Sequence, residues 1–361
     1  MKLVIDIRLI NASGIGTYLK NVIPGILQAF DEVLVLGNTQ EIKSFDWSTE
    51  VKIIEFNADI YSLKEQFQYP SIIPECDILW CPHFNVPLLP VKAKKIVTTI
   101  HDVYHLTNGA AISYLKKKYA GILFKNAVKK ASLIFTVSEF SKSEILKYTQ
   151  ANAQKIKVVY CGVNKSLFQN IKTGRNNKLP KNYILYVGNI KPHKNLIVLL
   201  KAYNTFSEEF KSKYKLVLIG RRDGFITQDH NIEGFIESND LQKQIIFTGY
   251  IDDLEIPGIY HNASLFVFPS LYEGFGLPIL EALATQTKVL SSNAASLPEI
   301  GGEAVVYFNP QDYVELAKII KSSIEDSSNN EFLFAEGEKQ LEKFTWEKSI
   351  EKHLKAFKKL E

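Results

Sequence analysis

The sequence predicts an α/β protein built from two doubly wound parallel sheets, on three observations. Short, continuous apolar runs alternate with longer helical patterns, the runs fall into two series, and 361 residues with 46% hydrophobic content suffice for two ordinary cores. Runs that are apolar throughout suit parallel strands covered by helices on both faces. The first series occupies 3–7, 33–36, 51–56, 78–81, 96–100, 133–137 and 156–160. The second occupies 183–187, 216–219, 245–248, 265–268, 289–291 and 304–308. Between them, 170–182 is polar and rich in turn formers. The expected organisation is a first domain over 1–172, a linker over 173–182, a second domain over 183–344 and a terminal helix over 345–361.

Composition narrows the partners. A formal charge of +4 is too small for a whole-protein nucleic-acid footprint, so no nucleic-acid partner is expected. No apolar run approaches the roughly 18 residues of a membrane span, and the opening run, broken by Asp6 and Arg8, reads as a strand and not as a leader. Cys76, Cys81 and Cys161 form no disulfide framework, as suits a reducing cytoplasm. Cys76, Cys81 and His83 lie close together, but no second ligand cluster follows, so no metal site is expected there.

Along the chain, the first strand leads into Gly14 and Gly16 at a helix start. These glycines allow either a tight packing turn or close approach of backbone to a phosphate or sugar. The third small position of a dinucleotide fingerprint is not glycine, and Asp31 and Glu32 precede the second strand where a ribose acceptor should end it. His101 and Asp102 end the fifth run, which places an imidazole at the carboxyl edge of the first sheet, either as a structural group or as a sugar contact. The segment 112–130 carries six lysines and no acid, with Ile112, Leu115, Tyr119, Ile122, Leu123 and Ala127 at helical spacing. It reads as a basic amphipathic helix that lies on an anionic bilayer or covers the sheet.

In the second half, Lys191, His193 and Lys194 follow the first strand, where a lysine either neutralises a diphosphate or stays solvated. Asp252 and Asp253 read as the start of a helix toward Ile259. The most informative stretch is 269–281. Pro278 suits a first helical turn, so the N–H groups of Gly274, Phe275, Gly276 and Leu277 are expected at an anion-binding helix mouth, with Glu273 before it and Glu281 in its first turn. An ordinary helix cap is the alternative. A ligand with a phosphate between polyol groups fits this arrangement. From Thr345, an expected N-cap, Trp346, Ile350, Leu354 and Phe357 form one apolar stripe that must dock on something.

The order of these motifs resembles the retaining glycosyltransferases of family 4 with the GT-B fold, two Rossmann-like domains facing a cleft. The matching residues are Gly14 and Gly16, 100–103, 136–140, 160–163, Gly188 and Asn189 with Lys194, Thr248 to Tyr250, and Glu273 and Glu281 with seven residues between. The strings around Gly16 and Lys194 resemble those of bacterial mannosyltransferases of surface polysaccharide and lipopolysaccharide assembly.

The resemblance implies that Lys194 holds the diphosphate of a nucleotide-sugar donor and that backbone from Gly274 to Leu277 contacts phosphate and sugar. It further implies that Glu273 binds sugar hydroxyls, Glu281 the ribose diol, backbone near Tyr250 the base, and His101 the donor sugar. The first domain, 1–172, would be the acceptor side, the second, 183–344, would bind the nucleotide sugar, and the terminal helix would cross back to the first domain. Many members carry arginine at the position of Asn189, so Lys191 or Arg8 is expected to supply a second charge. No side chain is paired with a base as a nucleophile would be, so retention by front-face substitution is expected, with Glu273 positioning and no metal or other cofactor required. The acceptor would be a glycan or lipid-linked glycan and the expected donor GDP-mannose, with UDP-glucose or dTDP-rhamnose as alternatives, in the cytoplasm or peripherally at the inner face of the cell membrane. A nucleotide-sugar 2-epimerase, a phosphorylase and a non-catalytic sugar-nucleotide-binding subunit remain alternatives on the same scaffold.

Overall fold

The structure, a computed structural model, describes residues 1–107, 109–110, 113–169, 179–220, 231–249, 251–326 and 328–360. Its contacts divide the chain into two compact units, Met1–Cys161 with Trp346–Glu361, and Gly162–Thr345. Both are parallel α/β structures, because in each the apolar runs became strands, the central ones buried on both faces.

In the first unit the strands are β1 (Lys2–Asp6), β2 (Glu32–Gly37), β3 (Lys52–Glu55), β4 (Cys76–Cys81), β5 (Ala93–Thr99), β6 (Leu133–Thr136) and β7 (Ile156–Val158). They lie in the order β3-β2-β1-β4-β5-β6-β7, every pair parallel. The order reverses between β1 and β4, so the loops after these two strands diverge and leave a crevice at their carboxyl ends. β5 starts earlier than its apolar run because Lys94 reaches across to Asp77 of β4 at 2.6 Å, an ion pair that apolar periodicity does not register. Cys76 and Cys81 are buried at the two ends of β4.

The second unit contains β8 (Tyr183–Val187), β9 (Lys215–Ile219), β10 (Ile245–Gly249), β11 (Leu265–Phe268), β12 (Val289–Ser292) and β13 (Val306–Phe308). Their order is β10-β9-β8-β11-β12-β13, again all parallel, with the reversal between β8 and β11. β13 is shorter than expected because Gly302–Ala304 turns as a 3₁₀ helix.

Two expectations about organisation change, and a third lies largely outside the described residues. The contacts divide at Cys161 and not at 172, since the helix Lys165–Gln169 packs within the second unit, with Phe168 beside Tyr260 and Val163 N–H donating to Phe344 O at 3.2 Å. Of the expected linker over 173–182, residues 173–178 lie outside the described residues. The basic helix is Tyr114–Lys130, capped by Ser113, and Ile112 is not described. Its apolar residues divide between two faces. Leu123 and Ala127 join Ala120, Phe124 and Val128 in the core, while Tyr114, Leu115 and Ile122 point outward with exposed Lys118, Lys125 and Lys129.

The terminal helix Trp346–Lys358 packs in the first unit against the helix Ser13–Ile26. Its buried residues are Trp346, Ser349, His353 and Phe357, so the stripe lies slightly round from the expected one, leaving Ile350 and Leu354 on its flank. Ile350 meets the other helix at Gly25, where a β-carbon would lie 2.9 Å from Ile350 Cγ1. Phe357 packs on Phe30, Trp80 and Phe135, and His353 Nε2 hydrogen-bonds the Tyr18 hydroxyl at 2.6 Å.

Candidate active site

In the second unit, the loops after β8 and β11 flank the switch point, where an open α/β sheet binds its ligand. The β8 loop carries Lys194 and the β11 loop Glu273, and their side chains meet at 2.6 Å. Ser270 Oγ donates to the same Glu273 oxygen at 2.7 Å, and Phe268 lies 5.7 Å from the ammonium. Each side chain keeps a little surface, 19% for Lys194 and 13% for Glu273, so the pair is held yet reachable. A charge-assisted contact of this kind contributes about 1.5–3 kcal/mol. Lys194 thus presents a positive charge that a phosphate can share, beside a carboxylate that accepts from hydroxyls.

The sequence does not announce what holds these loops. Asn195 adopts the left-handed conformation, φ 53°, and its buried amide donates to Pro269 O at 3.1 Å and Pro310 O at 2.8 Å. Leu271 N–H donates to His193 O at 2.8 Å. Buried Ser296 donates to Glu273 O at 2.9 Å and Phe275 O at 2.7 Å, and Ser292 donates to Ser270 O. Asn195 stood inside a recognised string without a role, and the serines carried no signal because their partners are backbone carbonyls.

The helix beyond the loop is Leu277–Ala284, with Pro278 in its first turn as expected. Gly276 precedes it at φ 115°, and a β-carbon there would lie 2.8 Å from Leu297 Cδ2, so glycine is required on both counts. Phe275 is a packing residue, its ring edge-on to Phe344 at 5.7 Å, which leaves only its backbone for a ligand. Glu281 is the fifth helical residue and lies in the second turn, not the first, because the helix begins only at Leu277. It is half-buried, and burial pushes its carboxyl up to about 7 against the hydrogen bond it accepts from Tyr260 at 3.0 Å. Asp252 Oδ1 accepts from Leu254 N–H at 2.9 Å, and the helix expected there begins later, at Ile256, where Pro257 suits its first turn. Tyr250 lies outside the described residues. Asn189 is half-buried next to Gly188, which the close approach of Gly220 constrains, and its carbonyl accepts from Tyr186 at 3.3 Å.

In the first unit, Arg8 is not available as a second charge for a diphosphate. Its guanidinium grips Asp6 at 2.6 and 2.9 Å, pairs with buried Glu65 at 2.9 Å, donates to Ala58 O at 2.8 Å and contacts Tyr69, which engages every edge of the fork. Gly16 has a packing reason to be glycine, since a β-carbon would lie 2.5 Å from Ile10 O. Gly14 has none, being exposed with open space around it, at the start of a helix without a side-chain cap. His101 is half-buried, with Nε2 at 3.0 Å from Pro82 O and its ring edge-on to Tyr18 at 5.0 Å. A carbonyl only accepts, so Nε2 carries the proton and Nδ1 the lone pair. Burial pushes the imidazole down, toward this neutral form.

Residues 12–167 match the family described as Glycosyltransferase Family 4, and residues 168–340 match Glycosyl transferases group 1. O-antigen chain mannosyltransferase B of Escherichia coli is 32% identical over 278 residues, covering 75% of this chain and 72% of that protein. The serotype-specific mannosyltransferase WbdA of Escherichia coli is 29% identical over 300 residues, and this chain spans 34% of that longer protein. Among solved structures, sucrose-phosphate synthase from Thermosynechococcus elongatus superposes with a TM-score of 0.82 at 19% identity, covering 100% of this chain and 99% of its own. Anabaena Alr3699/HepE in complex with UDP-glucose gives 0.78 at 17% identity, covering 99% and 100%. At these identities the two structures share the fold.

Proposed function

We propose that this chain, which belongs to the family 4, group 1 glycosyltransferases of the GT-B fold, transfers mannose from GDP-mannose to a glycan or lipid-linked glycan acceptor of a surface polysaccharide. The observation that carries the proposal is the Lys194–Glu273 pair at the reversal between β8 and β11. Lys194 shares its charge with the donor diphosphate, Glu273 accepts from sugar hydroxyls, and Glu281 takes the ribose diol. Backbone of Gly274, Phe275, Gly276 and Leu277 receives the phosphate oxygens at the start of the helix. Asn189 belongs to the same loop cluster, and the role of His101 toward the donor sugar rests on the family resemblance alone.

The acceptor oxygen bonds to the anomeric carbon as the bond to the diphosphate breaks, and the acceptor proton passes to the departing phosphate oxygen on the same face. Configuration is retained, and Lys194 stabilises the leaving charge without a metal. The names of the relatives support mannose and polysaccharide assembly, and the UDP-glucose complex of the Anabaena protein supports a nucleotide sugar as donor class. Nucleotide release from GDP-mannose, UDP-glucose and dTDP-rhamnose with mannose-terminated acceptors tests the proposal. Acceptor-dependent release of GDP is expected, and release from none of the three ends the transferase reading.

Among the described residues no helix is long and apolar enough to cross a membrane. We propose that the enzyme instead docks on the inner face of the cell membrane through Tyr114–Lys130. Leu115 and Ile122, 76% and 51% exposed, insert, while Lys118, Lys125 and Lys129 meet anionic headgroups.

A further inference from the structure

Glu281 is not placed by its own helix alone. Tyr260, in the helix Ile256–Asn262, is fully buried, and its hydroxyl donates to Glu281 Oε2 at 3.0 Å. A buried phenol must give its one hydrogen to something, whereas a carboxylate receives through two oxygens. Oε2 is therefore taken. Among the described residues no donor reaches Oε1, and on this half-buried side chain it is the oxygen left for a ligand.

Several contacts fix where the phenol stands. Tyr183 of β8 donates to Ile259 O at 2.6 Å, which ties the tyrosine's helix to the sheet. Thr287 Oγ1 donates to Tyr260 O at 2.7 Å, and His261 Nδ1 donates to Thr285 O at 3.2 Å. Both threonines lie at the end of Glu281's own helix. There Gln286 adopts φ 54°, a left-handed conformation usually left to glycine, and Thr287 N–H turns back to donate to Ala282 O at 2.9 Å. The ends of the two helices are thus clasped together. The Tyr260 ring packs edge-on to Phe266 at 5.2 Å and against Phe168 at 6.3 Å. With ring and backbone both held, the phenol oxygen is the fixed member of the pair and the carboxylate is the member that is oriented. The same hydrogen bond favours the ionised carboxylate, against burial and Asp253.

A binding group keeps its productive geometry when neighbours with locked rotamers hold it. We propose that Tyr260 is a positioning residue for the nucleotide, fixing Oε2 of Glu281 so that Oε1 meets the ribose diol. The inference rests on the ribose role of Glu281 proposed above and names the group that orients it.

The test compares the Kd of the full chain for GDP and for 2′,3′-dideoxy-GDP, which lacks both ribose hydroxyls, by calorimetric titration. Wild type is expected to bind GDP about tenfold more tightly, the scale of one charge-assisted hydrogen bond. Tyr260→Phe keeps the ring against Phe266 and Phe168 and removes only the donor, so the ratio is expected to shrink to about threefold through loss of GDP affinity alone. In a Glu281→Ala background the same substitution is expected to change neither Kd, because the two residues act as one. A Tyr260→Phe chain that keeps the full ratio overturns the proposal, as does one that weakens both nucleotides equally, the result a packing defect gives. An undiminished effect of Tyr260→Phe in the Glu281→Ala background overturns it too. A wild type that binds both nucleotides alike removes Glu281 from the ribose and this inference with it, while transfer from GDP-mannose is judged separately by GDP release. A wild type that binds neither sinks GDP-mannose as donor, and the same comparison with UDP and 2′,3′-dideoxy-UDP then decides for Tyr260.

Discussion

Lys194 and Glu273 were legible as residues but not as a pair. Their strings mark loops after two different strands, and only the strand order brings them to 2.6 Å. Glu281 was legible too, although one turn too early, because sequence places a helix start less well than a helix. Its raised carboxyl gives a pH prediction with a definite sign. The folded state holds this proton up to about 7, so the contribution of Glu281 to stability falls as pH rises from the ordinary carboxylate range toward 7. On the proposed ribose role the ionised carboxylate is the stronger acceptor for the two hydroxyls, so nucleotide affinity is expected to rise as pH increases through 7. Calorimetric titration of GDP from pH 6 to 8 should show this slope in wild type and a flatter one in Glu281→Gln, whereas equal slopes would remove Glu281 from the nucleotide site. Tyr61 and Glu65 were invisible to sequence reading, since their partners His83 and Arg8 lie in loops after other strands and no local pattern links them.

At the scale of elements, the two glycines of the first helix separate packing from binding. Gly16→Ala drives a β-carbon to 2.5 Å from Ile10 O and is expected to lower stability by about 1–3 kcal/mol. Gly14→Ala meets nothing within 4 Å, so its Tm is expected to stay within error of wild type while a substrate KM rises. An unchanged KM would make Gly14 an ordinary helix start. The strands were legible because parallel strands buried on both faces are apolar throughout, and the misplaced edges fall where lysines or glycines interrupt that rule. The basic helix shows the limit of periodicity. Leu115 and Leu123 both fit an apolar stripe, but only Leu123 faces the core. Liposome flotation with anionic lipid is expected to weaken in Leu115→Ser with Ile122→Ser and in Lys118→Gln with Lys125→Gln. Flotation that survives both double substitutions would return the helix to covering the sheet.

For the whole molecule, the sequence indicated two domains and a returning terminal helix, while the division at Cys161 depended on contacts of Phe168 and Val163 that no composition shift marks. The terminal helix is tied in by His353, whose burial beside Tyr18 and Phe135 pushes its imidazole down to about 4. An unfolded chain takes up that proton below the ordinary histidine range, so this contribution to stability is lost as pH falls from about 6.5 toward 4. Thermal unfolding across that range is expected to show a shallower acid decline in His353→Gln, and an equal decline would assign the effect to other groups. The most direct test of the account is kcat for transfer from GDP-mannose to a mannose-terminated acceptor in wild type and Lys194→Ala. A fall of about 10²-fold or more with the cooperative unfolding transition retained is predicted, in line with the loss of a group that stabilises leaving charge. An unchanged kcat would contradict it.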